Sequence, residues 1–267
     1  MDDHYIELPA ERGLEEGCYY GVAGPSPNQI LSLGDDTLLI QSLVNIGTSD
    51  VSIECSFVPL PPTPNPKNGG IQDALQCVLN GVLYYAYEFS APNCRKWFTV
   101  QAVTLDTYER VTIPKVPSVS HPRKRRAEMR ALFALDNHVV FVQEEFEGNE
   151  PVGVQSFVYS PGERDWVRKG GIKRRKKTSK YSVSLSLDML DVAVFDSTAY
   201  VLFGEFSVRM WSYDLQRGWR RCLTLPEEIE LPFSRLLHVM GSYTVVFGAW
   251  DDCDESLFEG PYVRARE

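Results

Sequence analysis

One short pattern recurs along this chain: two turn-forming residues are followed by a β-rich run that ends in an aromatic residue. The clearest copy is Asn80–Phe89, in which an Asn-Gly pair precedes the run VLYYAYEF. Further copies cover residues 136–146, 196–206 and 241–250, and a weaker first copy covers residues 34–41. Self-similarity with a period of roughly 45–60 residues indicates a repeat architecture.

The residues around each copy complete a repeat of several short strands. In the second repeat, runs at 74–79 and 82–89 flank the Asn-Gly pair, a strong hairpin signal because both residues tolerate positive φ. Further strands are predicted at 97–105 and 110–113. Four antiparallel strands per repeat, separated by polar turns, are what one blade of a β-propeller requires. Helical periodicity is scarce, and only residues 122–132 are compatible with a short helix.

Two aromatic pairs across polar turns resemble the element between the third and fourth strands of kelch repeats: Tyr159 with Trp166, and Tyr213 with Trp219. Phe-Gly pairs at 203–204 and 247–248 occupy the place of that family's double glycine, although no repeat keeps both glycines. The Ile-Pro and Leu-Pro repeat endings resemble those of F-box-associated propellers. The resemblance covers about residues 30–250 and implies a protein-binding propeller.

The repeats predict an all-β protein, a β-propeller of kelch-like four-stranded blades in a single domain over residues 1–267. We expect five blades, or six if residues 16–60 contain additional strands. Residues 1–28 form an irregular start, in which the strand-like segment 4–9 would complete the last blade. Flexible basic loops are expected near 115–127 and 168–182.

Composition indicates the cellular compartment in which the protein is expected. The chain has no run of 18 apolar residues, so no transmembrane helix is predicted, and its acidic start is unlike a signal peptide. Six cysteines without paired spacing favour free thiols, several of them buried, in a reducing compartment. We therefore expect a cytoplasmic protein, or a nuclear one if its basic residues serve as a localisation signal.

The charge is unevenly distributed, since a net charge of −9 coexists with two strongly basic segments. Loops that follow the fourth strand of two successive blades emerge on the same face, so the two segments are predicted to form a basic face. That face would bind an acidic or phosphorylated protein segment or, alternatively, a nucleic acid. Two solvated loops without a ligand are the other interpretation. The predicted binding residues are Arg123, Lys124, Arg125, Arg126, Lys173, Arg174, Arg175, Lys176 and Lys177.

Catalytic and cofactor motifs are not recognisable in the sequence. None of the four histidines lies in a nucleophile or metal motif, and no phosphate-binding glycine loop is present. Acidic segments 144–150 and 251–255 lack the spacing of a calcium loop and are predicted to be solvated loops. No catalytic residue, metal or cofactor is therefore predicted.

The sequence predicts a non-catalytic protein-interaction module that is not an enzyme. Resemblance to F-box and BTB kelch proteins implies substrate recognition for a ubiquitin ligase. Since neither an F-box nor a BTB sequence is found in the 267 residues, we expect that role to need a partner chain or a longer parent. The alternatives are nucleic-acid or phosphopeptide binding through the basic face, and a carbohydrate-active propeller enzyme whose carboxylates line its centre.

Overall fold

A computed structural model of the chain describes residues 22–24, 26, 28–33, 37–44, 52–61, 70–90, 96–117, 125–148, 150–173, 189–203, 209–224, 234–240, 243–249 and 262–265. The segment 4–9, predicted to complete the last blade, lies outside these residues. Contacts divide the chain into two units, Met1–Ile113 and Pro114–Glu267. Each unit is described by itself below.

The first unit contains two four-stranded antiparallel sheets. The first sheet consists of β1 (Val22–Ala23), β2 (Gln29–Leu33), β3 (Thr37–Val44) and β4 (Ser52–Pro59). The second sheet consists of β5 (Gly70–Leu79), β6 (Val82–Ser90), β7 (Lys96–Thr104) and β8 (Arg110–Val111). In both sheets the strands follow one another in chain order, as a meander.

The second unit contains three sheets within the described part of the chain. The third sheet consists of β9 (Arg125–Leu135), β10 (His138–Glu147), β11 (Glu150–Ser160) and β12 (Asp165–Lys173). The fourth consists of β13 (Met189–Phe195), β14 (Thr198–Phe203), β15 (Arg209–Asp214) and β16 (Gly218–Thr224). The fifth consists of β17 (Ser234–Met240), β18 (Tyr243–Ala249) and β19 (Tyr262–Ala265).

Positive-φ residues form the turns between the first two strands of successive sheets. Asn80 and Gly81 have φ of 51° and 73°, Asp136 has φ of 52°, and Asp196 and Ser197 have φ of 47° and 57°. Such backbone angles suit the two-residue hairpin turns that match the twist of the flanking strands. The repeated turn pair therefore starts the second strand of a sheet, as the sequence predicted.

The two aromatic pairs identified in the sequence occupy equivalent places in the third and fourth sheets. Tyr159 stands opposite Trp166 in the β11–β12 ladder, and Tyr213 stands opposite Trp219 in the β15–β16 ladder. Their ring centroids are 5.1 Å and 4.9 Å apart. The two sheets are thus copies of one structural repeat.

Apolar side chains fill the space between successive sheets. In the first unit the core includes Leu33, Leu38, Tyr85 and Phe89. In the second unit, valines of β10 and β11 pack with Val201 and Tyr213 of the fourth sheet. A sheet that is buried on both faces has to lie between neighbouring layers.

Strand order within the second unit repeats from sheet to sheet. The first strands β9, β13 and β17 are neighbours in that order, and the fourth strands β12 and β16 are neighbours. Consecutive four-stranded meanders stacked with equivalent strands side by side are the blades of a propeller. The chain is an all-β protein of the β-propeller class, with five sheets among the described residues.

Three details differ from the sequence prediction. Residues 125–132 of the possible helix belong to β9, because they pair with β10 along its length. Lys173 ends a strand, so the predicted basic loop 168–182 has its first six residues in β12. Cys77 is a buried free thiol as expected, whereas Cys55 and Cys222 are exposed.

Candidate functional site

The third sheet is irregular in each of its three ladders. The pairing register shifts at Val142–Gln143 in β9–β10, at Glu145–Phe146 in β10–β11 and at Gln155–Phe157 in β11–β12. Bulges bend a strand and re-aim its side chains, and they are common beside functional sites. Buried polar residues gather on both faces of the sheet at this level.

On one face, Arg130 binds two glutamates. Its Nε donates to Glu144 Oε2 at 2.8 Å, and its Nη2 lies 2.6 Å from the same oxygen and 3.0 Å from Glu128 Oε2. Arg130 is the extra residue of the β9 bulge, since Ala131 pairs with Val142 and Met129 pairs with Gln143. These three residues, called the ion triad below, join β9 to β10.

The ion triad is largely shielded from solvent. Exposed fractions of the side chains are 1% for Glu144, 11% for Glu128 and 18% for Arg130. The predicted solvated acidic loop at 144–150 is therefore wrong at its start, because Glu144 is a buried member of β10. A buried guanidinium offsets the cost of burying a carboxylate only when the geometry is good. The triad is thus a structural link with its charges already engaged.

On the opposite face, Glu145 and Gln155 line a cavity of about 370 Å³. Gln143 stands directly opposite Gln155 in the β10–β11 ladder, and Glu145 stands opposite Gly153. Residues opposite one another, and residues two apart on a strand, share a face of the sheet. Gln143, Glu145 and Gln155 therefore lie on the same side of the sheet.

Two glycines bring the backbone of β12 close to this face. Gly170 has φ of 71°, in the left-handed region that favours glycine. A Cβ on Gly171 would lie 2.5 Å from the carbonyl oxygen of Val154 and 3.1 Å from Gln155 Oε1. Only a residue without a side chain fits at Gly171, so the glycine pair shapes the cavity wall.

Arg168 enters the cavity from β12 and is held by Gln155. Its Nη2 donates to Gln155 Oε1, while Gln155 Nε2 donates to the carbonyl oxygens of Gly170 and Ser156. Arg168 Nη2 lies 4.0 Å from Glu145 Oε1, and 61% of the Arg168 side chain is exposed. The cavity therefore presents an anchored, solvent-accessible cation beside a carboxylate.

Polar atoms on this face lack hydrogen bonds within the described part of the chain. Glu145 Oε1 has no hydrogen-bond partner there, and neither Oε1 nor Nε2 of Gln143 has one. Gln143 is fully buried. Buried polar groups in native proteins are normally hydrogen-bonded, so these atoms call for a partner that the described residues do not supply.

The residues predicted to form the basic face are described only in part. Arg125 and Arg126 are the first two residues of β9, and Lys173 is the last residue of β12. The other six residues, Arg123, Lys124, Arg174, Arg175, Lys176 and Lys177, lie outside the described residues.

The cavity was not predicted from the sequence. The Gly170–Gly171 pair is the signal that could have indicated it, because glycine within a strand often marks a bulge or a close backbone approach.

Within the described part of the chain, no group of three or more His, Cys, Asp or Glu side chains is placed to hold a metal ion. The acidic segment 251–255 lies outside it. No helix in the same part is long and apolar enough to cross a membrane.

Comparison with known proteins gives structural likenesses alone. No family model and no curated protein matches the chain. Among solved structures, 56 chains match. One is a Penicillium chrysogenum α-L-arabinanase complexed with arabinobiose, at 16% identity, a TM-score of 0.47, and coverage of 83% of this chain and 67% of that one.

Two other matches show how varied these structures are. A candidate hydrolase from Bacteroides ovatus is 10% identical, with a TM-score of 0.40 and coverage of 68% of this chain and 64% of that one. A complex of fission yeast SREBP–SCAP binding domains is 9% identical, with a TM-score of 0.42 and coverage of 95% and 63%. The chain thus spans about two thirds of each of these structures. At such identities the likeness concerns the fold.

These matches correct two predictions made from the sequence. The chain was predicted to be a non-catalytic protein-interaction module and not an enzyme, whereas two of the structures it resembles are an arabinanase and a candidate hydrolase. The absence of a matching family model also leaves the kelch and F-box resemblance without support beyond the propeller fold.

Proposed function

We propose that the chain is a propeller hydrolase that acts on a carbohydrate bound in the β10–β12 cavity. The observation that carries this proposal is the polar wall of the cavity: Glu145 Oε1 has no hydrogen-bond partner within the described residues and lies 4.0 Å from the accessible guanidinium of Arg168, beside the amide of Gln155. Sugar hydroxyls both donate and accept hydrogen bonds, so they suit a carboxylate, an amide and a guanidinium. The cavity volume also lies within the range of small-molecule sites.

Glu145 and Glu147 are the carboxylates that we assign to the chemistry. They lie two residues apart on β10, so their side chains leave the same face of the strand from Cα atoms about 7 Å apart. Inverting glycosidases separate their two carboxyl groups by roughly 6.5–9.5 Å, which leaves room for a water molecule. Glu145 would accept a proton from that water, and Glu147 would supply one to the leaving oxygen.

The ion triad is a poorer choice for the reacting pair. Both Glu128 and Glu144 are bound to Arg130, and Glu144 is 1% exposed. A substrate would have to displace the guanidinium from between the two carboxylates. We therefore assign the triad to stability and the cavity to catalysis.

Hydrolysis assays on defined polysaccharides test the proposal. The protein would be incubated with neutral and acidic arabinans, xylans and galactans, and the release of reducing ends would be measured. Glu145→Gln should lower the rate at least roughly 100-fold, as expected when a general acid or base is lost. Glu163→Gln is the matched control, because Glu163 is exposed in the β11–β12 turn at the other end of the sheet.

The stereochemistry of the product adds a second criterion. Proton NMR of the fresh product should show inversion at the anomeric carbon, as the roles proposed for Glu145 and Glu147 predict. Well-folded protein that cleaves none of the polysaccharides, or Glu145→Gln with full activity, would overturn the proposal.

We also propose that the blades derive from kelch-type repeats. The matching positions of the Tyr159–Trp166 and Tyr213–Trp219 pairs support this origin. An alignment of homologues would test this origin, because homologues that keep glycine at the ends of the second strands would support it.

A further inference from the structure

Gln143 is a buried polar side chain whose amide has no hydrogen-bond partner among the described residues. Its exposed fraction is 0%, and neither Oε1 nor Nε2 makes a hydrogen bond there. Glu145, two residues further along β10, carries a third such atom, Oε1. Residues two apart on a strand share a face, so these three buried atoms belong to side chains that leave the same face of the sheet from Cα atoms about 7 Å apart.

The neighbouring side chains on this face do not supply the partner. Gln155 stands opposite Gln143 in the ladder, but its amide already donates to two backbone carbonyl oxygens and accepts from Arg168. Arg168 Nη2 lies 4.0 Å from Glu145 Oε1, which is beyond hydrogen-bond distance. Polar groups separated by more than about 3.5 Å are often bridged by water.

The partner of Gln143 has to be smaller than a sugar. Gln143 is fully buried and does not line the cavity, whereas Glu145 does. A saccharide in the cavity can therefore reach Glu145 but not the Gln143 amide. A buried water molecule makes about three hydrogen bonds to polar groups that are otherwise unpaired, and the amide of Gln143 offers it both a donor and an acceptor.

We infer that Gln143 and Glu145 bind one water molecule between them, and that this water attacks the sugar. The inference rests on the proposed function, because it supplies the nucleophile of that reaction. Gln143 Nε2 donates to the water oxygen, and the water donates to Glu145 Oε1. One lone pair of the water is then engaged by Gln143, one proton faces the proposed base, and the other lone pair is free to attack.

The order of the side chains along β10 fits an inverting displacement. Gln143, Glu145 and Glu147 follow one another on the same face, so the water site lies on the side of Glu145 that is away from Glu147. The water oxygen forms a bond to the anomeric carbon, and its proton passes to Glu145. The glycosidic carbon–oxygen bond breaks, and the leaving oxygen takes a proton from Glu147. Inversion requires the water and the acid to act from opposite sides of the sugar ring.

NMR spectroscopy of the wild-type protein tests the water site without any substrate. The side-chain amide protons of Gln143, assigned through its backbone resonances, should show a cross-relaxation peak to a bound water molecule. That peak should be lost in Glu145→Leu, which removes the acceptor of the water proton. Glu163→Leu is the matched control in the exposed β11–β12 turn and should keep the peak.

Kinetic measurements on Gln143→Met test what the water does. Methionine has a similar length but no N–H donor. We expect kcat to fall at least roughly tenfold while KM stays within about twofold of wild type, because the lost interaction orients the water and not the sugar. Gln101→Met is the matched control and should keep both constants, since Gln101 is also a buried glutamine but belongs to β7 in the other unit. Circular dichroism would confirm that both variants are folded.

The outcomes separate the inference from the proposed function. A missing water peak at Gln143, a peak that persists in Glu145→Leu, or equal effects on kcat in Gln143→Met and Gln101→Met would each overturn the inference. A raised KM at unchanged kcat would also overturn it, because Gln143 would then bind the sugar. The NMR measurement needs no change at Gln143, so it remains decisive if Gln143→Met does not fold. A wild-type protein that shows the water peak but cleaves no polysaccharide would overturn the proposed function, and with it the role of the water as nucleophile, while the water site would stand.

Discussion

Replacement of Arg130 by methionine tests whether the ion triad is as buried as its geometry indicates. The change leaves the carboxylates of Glu144 and Glu128, which are 1% and 11% exposed, without the guanidinium that bridges them. Removing one partner of a buried ion pair costs roughly 3–5 kcal/mol, because an uncompensated charge then lies in a medium of low dielectric. Since Arg130 is itself 18% exposed, we expect the lower end, about 3 kcal/mol.

Urea unfolding monitored by tryptophan fluorescence would measure this loss. Trp166 and Trp219 belong to the same unit as Arg130 and are well placed as reporters. The midpoint and slope of the transition together give the free energy of unfolding. Arg220→Met is the matched control on exposed β16, and we expect it to change that free energy by at most about 0.5 kcal/mol.

A triple variant isolates the cause of the loss. Glu128→Leu, Arg130→Met and Glu144→Leu together remove all three charges, and apolar replacement of a whole buried ion set is often neutral or stabilising. The triple variant should therefore be more stable than Arg130→Met alone. A loss below about 1 kcal/mol for Arg130→Met, or a triple variant as unstable as the sum of its single changes, would refute the reasoning.

Three further predictions concern packing and titration. Gly171→Ala should cost about 1–3 kcal/mol in urea unfolding, because its Cβ would meet a β11 carbonyl oxygen at 2.5 Å, whereas Gly162→Ala, with open space around it, should cost little. Trp219→Phe should cost about 1–3 kcal/mol, because it removes the 2.6 Å hydrogen bond from Nε1 to Oγ of fully buried Ser156; a thermal midpoint equal to wild type would contradict this. Burial raises the pKa of Tyr213 to about 12, with a further increase from neighbouring Asp214. Since an unfolded tyrosine titrates near 10, stability should fall as the pH rises from about 10 to 12, and Tyr213→Phe should lose less stability in that window.

The turn and strand predictions that depend on neighbouring residues in the chain agree with the structure. The pair Asn80–Gly81 predicted a tight hairpin, and both residues have positive φ in the turn. The strands predicted at 74–79 and 82–89 lie within β5 and β6. These predictions succeed because turn conformation and strand alternation depend on residues that are adjacent in the chain.

Predictions of exposure and of loops were wrong where a residue is buried or paired by a distant part of the chain. Glu144 reads as part of an acidic surface loop, yet it is buried because a bulge in β9 directs Arg130 toward it. The basic stretch after Arg168 reads as a loop, yet it continues in β12 because Gly153 and Gln155 of β11 pair with it. A charged residue read from the sequence alone is expected to be exposed to solvent. Only its pairing with a neighbouring strand shows that it belongs to the sheet.

The sequence by itself determined the repeat, the turns and the aromatic pairs, and hence the propeller class, because each of these is encoded within one blade. The tertiary structure decided which polar residues share a face and which are buried. It placed Gln143, Glu145 and Gln155 on one side of the third sheet and the ion triad on the other. The physical reason is that successive side chains of a strand point to opposite faces of the sheet. A bulge of one residue therefore changes the residues that the following side chains contact.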